Sequence, residues 1–363
     1  MRRSLLLITT VLVGLGAGIG AFVLTRDDDD SIAAALAQVE RELATTPLPR
    51  VGLGEASPPP ALTEGWRTNF EKSLVPISEF QSGGPGKDGI PAIDDPRFAP
   101  VGETTFLESQ EPVLELVVGG KARAYPIQIL IWHEIANDEI GGVPVSVTFC
   151  PLCNTAVVFD RRVKGRVLDF GVSGNLRNSD LVMYDRQTES WWQQFGGQAL
   201  VGELAGTRLR KLPARIVSWA EFQREHPDGE VLTRDTGNRR SYGQNPYPGY
   251  DDVSSPPYFP TRNADDRRLP AKARVVLLES GDEAAVVPHS VLARRRVVRV
   301  RLGDRVFVVR ARGSAASALD SDSVEGGRSI LTVDVRVAGR PVPFDQPFWF
   351  AVAAFRPDAR IVR

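Results

Sequence analysis

Apolar residues occupy every second position in two stretches, 145–149 and 156–158, which is the period of a half-buried β-strand. Between them lie Cys150 and Cys153, the only cysteines of the chain, in a CxxC arrangement. We therefore predict two strands joined by a turn that carries both thiols. Because functional side chains concentrate on the loops of rigid scaffolds, this turn is the first place to look for a site.

Other local patterns predict the rest of the fold. Gly119-Gly120 separates two apolar runs and predicts a tight hairpin. Apolar residues spaced three and four apart over 127–135 predict a short helix that opens at Pro126. A capping-box pattern at Ser218 predicts a second short helix. Together these patterns predict a mostly β fold with short helices, of the α+β class.

The C-terminal part of the chain repeats a pattern from its middle. Three residue pairs recur with one constant separation: Pro213 and Pro343, Trp219 and Trp349, and Pro227 and Pro357. Two pairs further upstream also correspond: Pro126 and Pro288, and Val145 and Val306. We infer a tandem of two related β-rich halves, of which the second is shortened and lacks the cysteine site.

This organisation predicts five segments. They are an anchor or signal-anchor (1–26), a stalk helix with a Pro-rich linker (27–84), the first β-rich copy with the CxxC site (85–235), a Tyr- and Pro-rich connector (236–266), and the second copy without the site (267–363). The connector is either a plain linker or a tyrosine-lined loop packed over the cysteine site.

The two copies differ at the residues of chemical interest. The corresponding pairs are Cys150 with Ala311, Cys153 with Ser314, and His133 with Arg295. Met183 falls in a stretch that the second copy lacks. Since the second copy does without these side chains, we assign them to function rather than to folding.

The N-terminal residues 5–24 are almost entirely apolar, carry no charge and follow Arg2 and Arg3. Helical residues rise about 1.5 Å each, so this stretch is long enough to cross a hydrocarbon core of roughly 30 Å. Arg2 and Arg3 favour a cytoplasmic location for the N-terminus. We predict a transmembrane helix with the membrane as its partner and the bulk of the chain extracytoplasmic, in the periplasm or at the cell surface. A cleaved signal peptide is the alternative.

The overall charge is balanced, with 44 basic and 45 acidic residues. Such a balance gives no long-range attraction to nucleic acid, so nucleic acid is not expected as a partner. The sequence has no phosphate loop and no dinucleotide fingerprint, so no nucleotide cofactor is expected either. It identifies neither a partner protein nor a substrate.

Five motifs carry a resemblance to a known prokaryotic family. They are Lys87-Asp-Gly-Ile-Pro-Ala92, Tyr125-Pro-Ile-Gln-Ile-Leu130, Thr148-Phe-Cys-Pro-Leu-Cys153, Leu181-Val-Met-Tyr-Asp-Arg-Gln-Thr-Glu-Ser190 and Tyr242-Gly-Gln-Asn-Pro-Tyr247. On these motifs the chain resembles the domain-of-unknown-function family 3179 (DUF3179) over nearly all of the predicted folded body. The resemblance implies an extracytoplasmic, often anchored protein and no particular activity. Asn154 stands where the family pattern has glycine.

A soft-metal site is the first interpretation of the cysteine turn. A closed structural zinc site needs four ligands, and the chain has a single cysteine pair. His133 and Met183 are the further ligands that the comparison of the copies selects. Two thiolates, an imidazole and a thioether form a soft set, which favours copper, with zinc as the alternative.

Polar and aromatic side chains downstream of the turn supply further groups. We predict that seven residues support the site or contact a substrate: Asp180, Asp185, Arg186, Glu189, Trp192, Tyr242 and Asn245. The carboxylates near the tryptophans would also suit a hydrolase, which is a weaker interpretation.

Two other interpretations of the cysteines stay open. One is thiol–disulfide exchange, although the CxxC of thioredoxin-like proteins precedes a helix that lowers the thiol pKa, whereas residues 156–159 continue as a strand. The other is a structural disulfide in a non-catalytic binding or scaffold module. Whether the protein is an enzyme is not decided by the sequence.

Overall fold

A computed structural model describes residues 10–12, 21–23 and 60–363 of the chain. The described part is mostly β with short helices, but its sheets form a propeller arrangement and not the predicted α+β tandem. Its helices are α1 (Pro60–Thr63), α2 (Ile127–His133), α3 (Trp219–Glu225), α4 (His289–Arg295) and α5 (Trp349–Phe355), with 3-10 turns at Ile77–Glu79 and Val101–Glu103.

The strands of the described part are short. In chain order they are β1 (Thr10–Leu12), β2 (Ala21–Val23), β3 (Phe80–Ser82), β4 (Phe98–Pro100), β5 (Pro112–Val118), β6 (Lys121–Pro126), β7 (Ile135–Ile140), β8 (Val143–Cys150), β9 (Thr155–Asp160), β10 (Arg162–Val163), β11 (Arg166–Val167), β12 (Phe170–Arg177), β13 (Asp180–Asp185), β14 (Trp191–Gln193), β15 (Gln198–Val201), β16 (Arg210–Leu212), β17 (Ala214–Ser218), β18 (Glu230–Leu232), β19 (Val275–Ser280), β20 (Glu283–Pro288), β21 (Val297–Leu302), β22 (Arg305–Ala316), β23 (Ser329–Val337), β24 (Arg340–Pro341) and β25 (Arg360–Ile361).

Five larger sheets, of three to five strands each, form a five-bladed β-propeller arrangement. Their strand orders are β15-β14-β13-β12-β3, β16-β9-β8-β7, β17-β5-β6-β18-β4, β19-β20-β25 and β21-β22-β23-β24. Among these described strands, neighbours are antiparallel except for the parallel pairs β6–β18 and β20–β25. The pairs β1–β2 and β10–β11 are separate two-stranded ribbons.

Tight turns set the register of the hairpins. Gly119 and Gly120 have φ of +59° and +79° and join β5 to β6, so the predicted hairpin is confirmed. Two successive residues with positive φ are what a two-residue type I′ turn requires. Asn178 and Ser179, with φ of +53° and +58°, make the same kind of turn between β12 and β13.

The N-terminal expectation is corrected by the structure. Thr10–Leu12 and Ala21–Val23 lie inside the predicted transmembrane helix, yet they pair as antiparallel strands. Among the described residues, no helix has the length and apolar character needed to cross a membrane. The predicted helix over 5–24 is therefore wrong, and the membrane partner and extracytoplasmic location that rested on it are withdrawn. The stalk helix predicted at the start of the segment 27–84 precedes residue 60 and lies outside the described residues.

The predicted tandem of two halves is also wrong. Pro58–Arg363 form one compact unit, and its largest core cluster combines residues of both predicted halves, such as Phe149 and Trp349. A local pattern misled the prediction. A hairpin followed by a seven-residue helix occurs at β5–β6–α2 and again at β19–β20–α4, so similar residues recur although the halves do not fold apart.

Candidate functional site

The cysteine turn connects β8 to β9 and is buried. Cys150 is the last residue of β8 and pairs with Thr155, the first residue of β9, so the predicted strand–turn–strand unit is confirmed. Asn154 closes the turn with φ of +58°, a left-handed conformation that asparagine tolerates better than most residues other than glycine. Asparagine can therefore stand where the family pattern has glycine.

Residues far along the chain hold this turn in place. The Asn154 side-chain amide donates to the Gln346 carbonyl at 2.9 Å and accepts from Arg274 Nη1 at 2.8 Å. The Cys153 carbonyl accepts a hydrogen bond from the Phe348 backbone N–H at 2.9 Å. The thiols are thus positioned by long-range contacts as well as by the hairpin.

Asp180 is brought to the thiols by the tight turn at 178–179, which starts β13 directly at this residue. Cys153 Sγ donates to Asp180 Oδ1 at 2.9 Å. The other carboxylate oxygen accepts from the Phe195 backbone N–H at 3.0 Å and from Gln193 Nε2. The carboxylate is therefore oriented from three sides.

Cys150, Cys153 and Asp180 form a group able to hold a metal ion. Their ligand atoms all lie within 4.8 Å of one another, and the three residues are 1%, 0% and 0% exposed. Two thiolates on one metal ion are at most about 4.6 Å apart, since each bond is about 2.3 Å long. The group needs little rearrangement to close around an ion.

A chain of polar side chains supports the group on its other side. The Thr155 hydroxyl lies 2.7 Å from Cys153 Sγ and donates to Gln194 Oε1 at 2.7 Å. Gln194 Nε2 in turn donates to the Thr148 hydroxyl at 2.8 Å. All four residues are buried, so this network fixes the direction of the Cys153 side chain.

Burial disfavours negative charge throughout the group. It raises the pKa of the Cys150 thiol, and it raises the pKa of Cys153 still further, with the neighbouring Cys150 adding to the effect. Burial also raises the pKa of Asp180 to about 6. The pKa of Glu134 is raised to about 8, first by burial and then by the charge of Asp180. Both cysteines are free thiols in the described structure.

The two other predicted ligands lie in different surroundings. His133 Nδ1 is 2.7 Å from the Pro91 carbonyl and Nε2 is 2.6 Å from the Tyr242 hydroxyl, so both ring nitrogens have partners away from the thiols. Met183 is fully buried in the core. An odd number of positions separates it from Asp180, so the two side chains leave opposite faces of β13. The copper ligand set stays a prediction for these two residues.

Among the remaining predicted residues, Asp185 organises the turn after β13. Its carboxylate accepts from the Thr188 backbone N–H at 2.7 Å and from Trp192 Nε1 at 2.9 Å. Both Asp185 and Trp192 are fully buried. Their contacts stabilise a turn.

Charged residues of the same turn form ion pairs with residues of the segment 67–94, which precedes β4. Glu189 pairs with Lys87 at 2.9 Å and with Arg67 at 3.0 Å, and Arg186 pairs with Asp94 at 3.0 Å. These pairs tie the turn to residues upstream. They give Glu189 and Arg186 structural partners, and the hydrolase interpretation stays a prediction.

Tyr242 and Asn245 lie in the connector. Tyr242 contacts His133, as described, and the Thr236 hydroxyl at 2.6 Å. Asn245 Nδ2 donates to the Ser321 carbonyl at 2.8 Å. Both residues fasten the connector to the rest of the unit.

The connector packs against the cysteine turn through its tyrosines. Tyr250 is buried, and its hydroxyl donates to the Leu152 carbonyl at 2.9 Å, between the two cysteines. The next residue, Asp251, forms 2.8 Å ion pairs with Arg274 and with Arg328. The buried Asp251 carboxylate, held by these two arginines, fixes the connector where it meets the turn.

Sequence reasoning missed several residues of the site. Glu134 directly follows the last residue of α2 and is 6% exposed, and only its neighbour His133 was selected. Thr148, Thr155 and Gln194 were missed as well. Polar residues inside otherwise apolar strands were the available signal, because a buried polar side chain needs a partner.

A second group of potential ligands consists of Glu115, Glu225 and His226. Arg215 already pairs with both of these carboxylates, at 2.8 Å and 2.5 Å. The guanidinium therefore occupies the position that a cation would take.

Comparisons with known proteins agree with the motifs. The family model described as "Protein of unknown function (DUF3179)" matches residues 87–359. No curated protein and no solved structure matches the chain.

Proposed function

Because the chain belongs to the DUF3179 family, whose description assigns no activity, we propose its function from the site itself: the protein binds a soft or borderline metal ion through Cys150, Cys153 and Asp180. The observation that carries the proposal is the convergence of three buried ligand atoms within 4.8 Å. The network from Thr155 to Thr148 supports it, since metal ligands are commonly oriented by such hydrogen bonds.

The ligand set shifts the preferred metal towards zinc. The copper prediction uses His133 and Met183 as the further ligands, whereas the set proposed here uses the Asp180 carboxylate beside the thiols. Thiolates suit both Cu(I) and Zn²⁺, whereas a carboxylate oxygen is a common ligand of Zn²⁺ and a poor match for Cu(I). We therefore propose Zn²⁺ as the first ion to test and Cu(I) as the second.

Three protein ligands are the number found in catalytic zinc sites, where the fourth position takes water or substrate. Structural zinc sites close with four ligands. The proposed site therefore leaves one coordination position for a small molecule. Enzyme activity is not part of the proposal.

Thiol–disulfide exchange has less support. The attacking species in such exchange is a thiolate, and burial raises the pKa of both thiols. The residues after Cys153 form the strand β9 rather than a helix, so no helix N-terminus stabilises a thiolate. A bound cation would supply the missing positive charge.

The proposal is tested by elemental analysis of the full-length chain, purified under reducing conditions without chelator, together with thiol counting. We expect about one metal ion per chain in the wild type, its loss in Cys150→Ser, and a clear reduction in Asp180→Asn. Asparagine keeps the shape of the aspartate, so Asp180→Asn removes mainly the charge. Glu225→Gln, in the group that Arg215 neutralises, is the matched control and should keep the metal.

Titration of the metal-free protein with Zn²⁺ and with Cu(I) then decides between the ions. Tighter binding of Zn²⁺ supports the proposed set, and tighter binding of Cu(I) would overturn that choice. If neither ion binds the folded wild-type protein, or if the Cys150 and Asp180 variants bind as well as Glu225→Gln, the metal proposal is refuted.

A further inference from the structure

A small cavity lies directly against the cysteine turn. It has a volume of about 220 Å³ and is bounded by Leu152, from between the two cysteines, and by Leu181, next to Asp180. The connector contributes Tyr247, Tyr258 and Phe259 to its wall. The cavity and the proposed metal site are therefore built from neighbouring residues of the same two hairpins.

One carboxylate of this cavity has no partner. Glu134 lines the cavity and is 6% exposed, and its side chain makes no hydrogen bond or ion pair within the described residues. Its backbone groups are already used, since its N–H donates to the Leu130 carbonyl and its carbonyl accepts from Phe149. Without a partner this buried carboxyl group is held neutral by its raised pKa, and a cationic ligand would supply the counter-charge that its ionised form lacks.

Asn175 provides a second unpartnered polar group in the same cavity. It is 6% exposed, and its Nδ2 is buried without a hydrogen-bond partner in the described chain. It lies within the irregular stretch of β12, where the register against β13 shifts between Val172 and Leu176. Bulges of this kind commonly redirect side chains towards functional sites. Glu134 and Asn175 thus give the cavity a polar end.

The electrostatic surroundings favour a positive ligand. Of the described residues that line the cavity, none is Lys, Arg or His, while Asp180 adds a further negative group nearby. The rings of Tyr247 and Phe259 in the same wall attract cations through their π faces. The remaining lining is largely apolar, which suits a hydrocarbon body.

We propose that this cavity binds a small organic ammonium ion whose apolar body lies among Tyr247, Tyr258 and Phe259 and whose charged group pairs with the Glu134 carboxylate. The size is adequate, because a cavity of about 150 Å³ already accepts benzene. The inference goes beyond metal binding and does not require a metal ion.

The test uses benzylamine as the probe and benzyl alcohol as its uncharged counterpart of similar shape. Binding to the full-length, metal-free protein is measured by calorimetry. We expect benzylamine to bind with one site per chain and benzyl alcohol to bind at least about tenfold more weakly, because a charge-assisted pair is lost. Equal affinities for the two compounds would overturn the proposal.

Two variants locate the site. Glu134→Gln keeps the side-chain shape and should weaken benzylamine about tenfold or more, with little effect on benzyl alcohol. Glu139→Gln, an exposed carboxylate of the adjacent strand β7, is the matched control and should bind benzylamine like the wild type. Unfolding curves of both variants establish that they are folded. A folded Glu134→Gln protein with unchanged benzylamine affinity, or a wild type that does not bind the probe, refutes the inference.

The Cys150→Ser variant separates this inference from the metal proposal. It lacks a proposed metal ligand but keeps Glu134, so benzylamine should bind it as tightly as the wild type. Retained benzylamine binding together with a failed metal test would leave the cavity inference standing alone. Loss of benzylamine binding in a folded Cys150→Ser protein would count against an independent cavity site.

Discussion

Replacement of Asp251 by alanine should destabilise the protein by about 3 kcal/mol. The Asp251 side chain is 0% exposed and pairs at 2.8 Å with Arg274, which is 11% exposed. Removing one partner of a buried ion pair costs about 3–5 kcal/mol, because the other charge is left uncompensated. Arg274 retains hydrogen bonds to Asn154 and to the Ser317 hydroxyl, so we expect the lower end of that range.

The same change should expose the thiols. Asp251 follows Tyr250, whose hydroxyl contacts the carbonyl between the two cysteines. A loss of about 3 kcal/mol corresponds to roughly a hundredfold larger population of open molecules. When closing is fast, thiol labelling follows that population, so labelling of Cys150 and Cys153 should accelerate by about the same factor.

The two quantities are measured by urea unfolding and by reaction with a chromogenic disulfide in native buffer. Asp252→Ala is the matched control, since Asp252 is exposed and its side chain bonds only to Ser254 in the described chain. We expect it to change stability by about 0.5 kcal/mol or less. The double variant Asp251→Ala/Arg274→Met should recover part of the loss, because it removes the unpaired charge.

A destabilisation below about 1 kcal/mol in Asp251→Ala would refute the reasoning, because a buried, unpaired guanidinium cannot be that inexpensive. A normal loss of stability with unchanged thiol labelling would refute only the link between connector and thiols.

Three further outcomes are expected. Trp191→Ala should lower the free energy of unfolding in urea by about 3–5 kcal/mol, because Trp191 is fully buried. Its ring packs against those of Trp66, Phe70 and Phe80, at centroid distances of 5.3, 5.2 and 5.1 Å. A loss under about 1 kcal/mol would contradict this packing. Burial lowers the pKa of His289 to about 3, whereas the unfolded chain takes up the proton below about pH 6.5. The free energy of unfolding should therefore fall by about 2 kcal/mol between pH 6.5 and 5, and His289→Gln should remove that part of the pH dependence. If the variant shows the same pH dependence of unfolding as the wild type, His289 is not its cause. Tyr125→Phe should cost about 0.5–1.5 kcal/mol, since its hydroxyl donates to Asp138 at 2.5 Å while Arg123 still pairs with that carboxylate; no measurable loss would show the bond to be unimportant.

Local structure was predictable where the signal is local. Alternation at 145–149 and 156–158 predicted β8 and β9, and the glycine pair predicted the β5–β6 hairpin, because side-chain period and turn conformation depend on neighbouring residues. The same reliance on local order produced the two-halves error. Recurring hairpin–helix units do not reveal that their strands and cores belong to one compact unit.

The site was predictable only in part. The thiols were found because they are adjacent in sequence and chemically distinctive. Asp180 was selected, but as a supporting residue, since its contact with Cys153 spans 27 positions and depends on how two hairpins pack. Glu134 was overlooked because a lone glutamate after a helix resembles many exposed ones. The apolar N-terminal stretch has the length and hydropathy of a membrane helix. Composition alone does not distinguish such a helix from apolar strands, and part of this stretch pairs as strands.

The hydrogen bond between Asn154 and Gln346 spans 192 positions, and this spacing has a consequence during synthesis. Ribosomes add about 5–20 residues per second, so roughly 10–40 s pass between translation of the cysteine turn and translation of the residues that fasten it. During that interval the thiols belong to an incomplete nascent chain and are open to oxidants and to chaperones. The site is thus among the last parts of the molecule to fold. Keeping its thiols reduced depends on how the cell protects the nascent chain during that interval.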